Sequence, residues 1–381
     1  MADDVRAVVH TGLRTFEHRT LPRPVIGHAD ALLRVEACGI CGTDVERYKG
    51  NVPVRYPVIP GHEPVGVIEE IGPGAAARWG VAVGDRVAVD PFVPCGSCRD
   101  CLGGSYELCQ GWPGVRSYGG FPMTNEPGLW GGFATHLYLH PNSIVYPVPA
   151  HVPADLAVLY NPLGAGVRWG VTVPGTTIGS TVAVLGSGQR GLACVVAAKA
   201  AGASLVIATG LASDAHKLAL ARELGADVTI TVDAHRDGHG GPGSDRGSDR
   251  DRDDLHAAVR DHTGGRGVDI VVDTTPHAAG PVRDAVAIAR MGGTVVLGGL
   301  KGRGIDGFPV DDVALKALRV FGVRGVGAAA YRAAIDLLAD GRVPIGRMRT
   351  HTFRLADAAH AVEVLAGEVP DEQPVNIVIT P

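Results

Sequence analysis

TVAVLGSGQRGLACVVAAKAAG (181–202) is the stretch on which the reading of this chain turns. Its first five residues are an apolar, β-branched run of strand type, and the alanine-rich 192–202 has the composition of a helix. Between them stands Gly186-Ser187-Gly188-Gln189-Arg190-Gly191, a G-x-G-x-x-G that follows a strand and opens a helix. That context turns a weak motif into a specific one. The glycines permit a tight turn and let backbone N–H groups approach a pyrophosphate, which rests on the helix N-terminus. Arg190 lies inside the turn and either adds a charge to the phosphate cradle or points to solvent.

Downstream the same alternation continues. LVIATG (205–210), DVTITVD (227–233), DIVVDTTP (269–276), TVVLGGL (294–300) and LRVFGVRG (318–325) read as buried-type strands. KLALARELG, LHAAVRDHTG and VRDAVAIARMG are helical segments between them. Strand–helix alternation predicts an α/β, doubly wound parallel sheet over about 161–326. Thr274 and Gly298, at the ends of two of these strands, join the glycine turn as candidate cofactor contacts. An acidic residue about 20 positions after the turn would favour NAD by binding the ribose hydroxyls. The second strand instead ends in Gly210, with Asp214 and Lys217 a few residues on. Glycine leaves room for a 2′-phosphate that Lys217 would neutralise, while Asp214 is within reach of a ribose, so NAD and NADP both stay open. Residues 235–254 (HRDGHGGPGSDRGSDRDRDD) are nearly free of apolar side chains and read as a disordered surface insertion.

Upstream the pattern differs. ALLRVEACGI, PVGVIEEIG and DRVAVDPF are short strands separated by Gly, Pro and Asp, so residues 1–160 read as a β-rich domain. The tail, YRAAIDLLADG, then HTFRLADAAHAVEVL, then PVNIVITP, reads as helix, helix, strand, and 327–381 is expected to return to this first domain. A lobe at 93–111 carries Cys95, Cys98, Cys101 and Cys109 in a C-x₂-C-x₂-C-x₇-C run. Four thiolates can close a tetrahedral zinc site with no open position, which suits structure rather than chemistry. Two disulfides or unpaired thiols are the alternatives; nothing else in the chain points to an oxidising compartment.

Composition sets the outer bounds. The 381 residues suggest about two domains. A formal net charge of −5 without a basic stripe argues against a nucleic-acid partner. No apolar run approaches the roughly 18 residues of a membrane span, and the acidic opening MADDVRAVVH does not read as a signal peptide. A cytoplasmic protein is expected.

Two short motifs complete the picture. Cys41 lies in GICGTD (39–44) and His62 in PGHEP (60–64). Thiolate, imidazole and carboxylate are all donors suited to a catalytic zinc with one open position. GICGTD, GHEPVGVIEEIG, VGDRVAV, the four-cysteine lobe, LWGGFATH and the dinucleotide turn, in this order, resemble the zinc-dependent medium-chain alcohol and polyol dehydrogenases. The resemblance covers nearly the whole chain. It implies a GroES-like catalytic domain plus a Rossmann coenzyme domain, one catalytic and one structural zinc, and NAD or NADP. It implies that Cys41 and His62 are ligands of the catalytic zinc, and that Glu63 is a ligand or a carboxylate just behind it. Thr43 would take the proton of the substrate alcohol, and Asp44 would accept the free N–H of the metal-bound imidazole.

Two positions depart from the family pattern. Asn161 stands where polyol-dehydrogenase-like members have a glutamate, so it would be at most a poor metal ligand. Glu46 stands where many relatives have a histidine that passes the proton onward; it would relay the proton if burial raises its pKa, and otherwise Thr43 delivers it straight to water. The implied reaction is reversible oxidation of a primary or secondary alcohol, a polyol or a cyclitol, to a carbonyl. The alternatives are a zinc-independent enone or thioester reductase of the same superfamily, and a catalytically silent NAD(P)-binding protein. A homotetramer or dimer is expected, with LRVFGVRG as a pairing edge. Trp112, Tyr118 and Trp130 are candidates to line a loop near the site or to pack beneath it.

Overall fold

The computed structural model describes residues 4–112, 117–232 and 249–381, with the side chains of 249–253 left aside. It divides into two compact units: Met1–Asn161 with Gly327–Gly341 and Arg349–Pro381, and Pro162–Val326 with Arg342–Met348. The short return of Arg342–Met348 to the second unit goes beyond the sequence reading; its Ile345 and Met348 are buried. Among the described residues no helix is long and apolar enough to cross a membrane.

The first unit holds β1 (Val5–Gly12), β2 (Thr15–Leu21), β3 (Ala31–Ile40), β4 (Glu63–Ile71), β5 (Arg86–Val89), β6 (His136–Leu139) and β7 (Val145–Pro147). The second holds β8 (Thr181–Leu185), β9 (Leu205–Gly210), β10 (Val228–Thr231), β11 (Val268–Asp273), β12 (Ala289–Leu297) and β13 (Arg319–Gly322). β14 (Arg349–Arg354) and β15 (Asn376–Thr380) complete the first. Its larger sheet runs β14-β15-β3-β4-β5-β7, with β6 also paired to β3. β3 buries both faces. Leu32, Cys38 and Ile40 enter one apolar cluster, and Ala31, Leu33 and Val35 enter another. Each fully buried aliphatic side chain of this kind contributes about 1.5–3 kcal/mol, and that packing fixes the strand from which the site is built.

The second unit is a six-stranded sheet of order β10-β9-β8-β11-β12-β13. Every neighbouring pair is parallel. The order reverses between β8 and β11, where doubly wound sheets bind ligands at the carboxyl ends of the strands. The α/β class and the parallel sheet are those the strand–helix alternation predicts.

Three local expectations need correction. HTFR is not helical: it lies in β14, whose side chains alternate half-buried and exposed and which pairs in parallel with β15. The helix starts only at Ala358. Likewise 289–291, read as the end of a helix, opens β12, because the helix stops at Ile288. Of the 235–254 insertion, residues up to 248 lie outside the described ones. From Asp249 the chain is already in the helix Asp249–Thr263, which Leu255 and Val259, one turn apart, pin to the core. Local polarity hid a helix whose apolar anchors come later.

Candidate active site and metal centres

Cys41 follows the last residue of β3 and precedes the short helix Gly42–Tyr48. His62 and Glu63 stand at the start of β4, and the antiparallel register sets Gly39 directly opposite Glu63. A Cβ on Gly39 would lie 2.4 Å from the Glu63 Oε2, so glycine there is what lets the carboxylate lie across the strand pair. Gly61 has φ +86, and a Cβ on it would lie 2.5 Å from the Phe133 ring. Glycine at that turn therefore sets the direction in which His62 leaves the chain.

The result is a cluster of three donors. Cys41 Sγ, a His62 ring nitrogen and a Glu63 carboxylate oxygen lie within 4.8 Å of one another, and all three residues are buried. Glu63 has 0% of its surface exposed. Asp44 Oδ2 accepts the Cys41 N–H at 3.0 Å, and its Oδ1 faces His62 Nδ1 at 3.5 Å. Burial opposes a charge on His62, but the Asp44 carboxylate and the Cys41 thiol outweigh it and raise the imidazole to about 10. Burial likewise opposes the Asp44 charge, and His62 with Arg47 overcomes it, leaving the carboxyl below its ordinary value. The Asp44 carboxylate thus favours a positive charge at His62, in a pocket of thiol, imidazole and carboxylate buried from water. Its donor set is that of a zinc site with three protein ligands.

The other residues singled out near the cluster take distinct places. Thr43 Oγ1 is 3.9 Å from Cys41 Sγ. Glu46, half-buried on the same helix, accepts a hydrogen bond from the Asn51 amide at 2.9 Å. Asn161 is buried, and its Nδ2 donates to the Tyr331 hydroxyl at 3.2 Å. Cys38 and Cys194 are fully buried packing residues.

The four cysteines of the lobe are all free, with no disulfide among them. Their sulfurs converge within 4.8 Å, with Cys98–Cys101 at 3.4 Å and Cys95–Cys101 at 3.9 Å. The Ser97 and Cys98 N–H groups point at Cys95 Sγ and pull that thiol down to about 6, whereas burial and Cys98 push Cys101 up to about 12. Backbone donors aimed at sulfur favour thiolate, the form that binds metal. The lobe is tied to the core through Tyr106, whose hydroxyl donates to Asp90 Oδ2 at 2.5 Å, beside Tyr146, which donates to the same oxygen at 2.8 Å.

In the second unit Gly186 takes φ +101 at the end of β8. A Cβ on Gly191 would meet Gly186 O at 1.9 Å, whereas one on Gly188 would have nothing within 4 Å. The turn is therefore packed on its inner side and open at Gly188, the N-cap of the helix Gln189–Ala200, as a pyrophosphate cradle requires. Gln189 lies buried in the first turn of that helix. The guanidinium of Arg190 lies over the Trp169 ring, 5.0 Å from its centroid. Gly298 backs the same ring, since a Cβ there would come within 2.8 Å of it. Thr274 Oγ1 donates to Leu185 O at 3.0 Å and so braces the turn. Gly210 closes β9, and Asp214 pairs with Lys217 at 2.7 Å.

Sequence reasoning missed a buried ion pair here. Lys301 Nζ lies 2.7 Å from Asp273 Oδ2 and also holds Thr275. The two residues lie 28 positions apart and carry no local signal. Of the three aromatics singled out in 112–130, Tyr118 and Trp130 are buried in the core. Trp112, 37% exposed, borders a cavity of about 380 Å³ with Phe121, Trp130, His140 and Arg55.

Comparison with known proteins agrees with this arrangement. Residues 27–150 match the alcohol dehydrogenase GroES-like domain, and residues 191–340 match the zinc-binding dehydrogenase family. A Mycobacterium tuberculosis protein described as an alcohol dehydrogenase is 46% identical over 380 residues, covering 99% of this chain and 98% of its own. The erythritol/L-threitol dehydrogenase of Mycolicibacterium smegmatis is 31% identical, covering 96% and 95%. Among solved structures, a protein of Sinorhizobium meliloti described as a zinc-binding dehydrogenase and bound to NADP superposes with a TM-score of 0.82 at 29% identity, covering all of both chains. The chain belongs to the zinc-binding dehydrogenase family: it is an oxidoreductase acting on CH–OH groups, with a GroES-like domain, a Rossmann domain and sites suited to zinc and NAD(P).

Proposed function

We propose that this enzyme oxidises a primary or secondary alcohol, a polyol or a cyclitol, to the carbonyl, reversibly and with NAD or NADP, at the Cys41–His62–Glu63 cluster. The observation that carries this reading is the convergence of those three buried donors within 4.8 Å, with the Thr43 hydroxyl beside them. Three protein donors leave a fourth tetrahedral position for a substrate oxygen. When bound, zinc supplies Lewis acidity toward an alcohol oxygen, and the nicotinamide supplies the hydride acceptor.

The chain's own residues do the rest. Thr43 Oγ1, adjacent to Cys41, takes the proton of the substrate hydroxyl. Glu46, three residues on and steadied by the Asn51 amide, receives it from Thr43 and hands it to water. Asp44 touches neither substrate nor cofactor: it holds the His62 ring in one orientation through Nδ1. Asn161 is not required for a three-donor set, and its amide is engaged with Tyr331. Cys95, Cys98, Cys101 and Cys109 hold a second zinc that keeps the lobe folded. Gly186, Gly188, Gln189 and Gly191 cradle the pyrophosphate, and Thr274 and Gly298 shape the crevice beside it.

We place the enzyme in the cytoplasm and read it as a homodimer or homotetramer. β13 supports the second point. It is one of the two edge strands of the six-stranded sheet among the described residues, with Val320 and Phe321 exposed. Such an edge invites pairing with a second copy. The test is metal analysis beside an alcohol and polyol panel run with both cofactors. About two zincs per chain and turnover abolished by Cys41→Ala are expected. Full activity in a metal-free preparation would refute the reading.

A further inference from the structure

The sequence leaves NAD and NADP open, and the end of β9 gives the question a physical form. In a dinucleotide-binding sheet this position carries the acid that binds the ribose hydroxyls of NAD. Here it is Gly210, and a side chain would crowd its neighbours: a Cβ would lie 2.5 Å from Ser187 Oγ and 3.2 Å from the Leu218 side chain. Ser187 Oγ is itself buried and has no hydrogen-bond partner within the protein. An uncharged, buried hydroxyl thus stands beside Gly210, where the acid would begin.

The first acid after Gly210 in the chain is Asp214, and it is engaged. Its Oδ2 faces the Leu211 N–H at 3.4 Å, and its Oδ1 accepts from Lys217 Nζ at 2.7 Å. These are the charged side chains of residues 211–217. His216 between them is kept neutral, since burial and the Lys217 charge both lower its pKa. The stretch therefore sums to zero charge. A free carboxylate would repel a 2′-phosphate, and a free lysine would attract one; locked together they do neither strongly.

We propose that the Asp214–Lys217 ion pair leaves the adenosine ribose subsite charge-balanced, so that the enzyme accepts NAD and NADP with similar affinity, and that Asp214 holds Lys217 back from a preference for the 2′-phosphate. This rests on the dinucleotide site proposed above. NADH and NADPH are titrated into the zinc-loaded enzyme and followed by nicotinamide fluorescence. The two dissociation constants should agree within about tenfold. Asp214→Asn, which keeps an acceptor for Leu211 N–H, should shift the ratio toward NADPH by about fivefold, and Lys217→Gln toward NADH by about as much, the scale of a half-exposed ion pair. A wild-type ratio beyond tenfold overturns the proposal and leaves the dinucleotide site standing, as do variants that leave the ratio unmoved or shift it in the same direction. Binding of neither nucleotide overturns the dinucleotide site itself, and this proposal with it.

Discussion

Gly39 and Glu63 face each other across the antiparallel pair β3–β4, so closely that one added methyl on Gly39 would lie 2.4 Å from the Glu63 carboxylate. The carboxylate is wholly buried, and Cys41 and His62 close round it. Gly39→Ala should push Glu63 out of the donor set. Zinc per chain should fall from about two to about one, measured after dialysis against a mild chelator, with the four-cysteine zinc retained. Full retention of both ions would show that Glu63 is not a ligand.

The Thr43 hydroxyl lies 3.9 Å from Cys41 Sγ, and the proposed reaction passes the substrate proton through it. Thr43→Ala should lower kcat by about 10²–10⁴, the usual scale for loss of a positioned proton acceptor. Zinc content and NADH affinity should not change. A variant with normal kcat would remove Thr43 from the proton path.

Cys101 touches both Cys95 and Cys98. Cys101→Ser should release the lobe's zinc while the Cys41 site keeps its own, and the thermal midpoint should fall because metal binding is also folding energy for such a lobe. Metal analysis together with a thermal scan checks both. Unchanged zinc content would refute a four-thiolate site.

Asp90 gives a pH signature. Burial lifts its carboxyl from 3.8 to about 6, although Tyr106, the Phe92 N–H and Tyr146 all donate to it. Between those values the folded chain keeps a proton that the unfolded chain has released. Stability therefore falls as pH rises through that window, by about 3 kcal/mol in total. Asp90→Asn removes the dependence. The variant's unfolding midpoint should gain on the wild type from pH 4 to pH 6 and hold a constant lead above that. A difference independent of pH would contradict it.

Phe321 is 39% exposed on β13, one edge of the parallel sheet. Phe321→Lys places a charge on that edge, a standard means of blocking strand pairing. Light scattering on the eluting protein should show a smaller assembly than the wild type. An unchanged mass would move the subunit contact elsewhere.

Much of the fold was legible in the chain because the signals are local. β8 to β13 are short apolar runs between helical periods, and the glycine turn sits where a strand gives way to a helix. The four cysteines lie within fifteen residues, close enough for one loop to bring them together. Where a segment's register depends on its neighbour, local reading failed. HTFR looks helical beside the following alanines, and it is a strand because β15 offers it a parallel edge.

By itself, the sequence determined the parallel sheet, the glycine turn and the four-cysteine lobe, since each is written in contiguous residues with a fixed period or spacing. The tertiary structure alone decided what those residues do to one another. The β3–β4 register brings Glu63 to Cys41, which lies 22 positions earlier in the chain. Packing turns Arg190 onto Trp169 and binds Asp214 to Lys217. It also joins Lys301 to Asp273 beneath the surface. Donor convergence and charge neutralisation depend on distances of a few ångströms between remote residues, and only packing sets such distances.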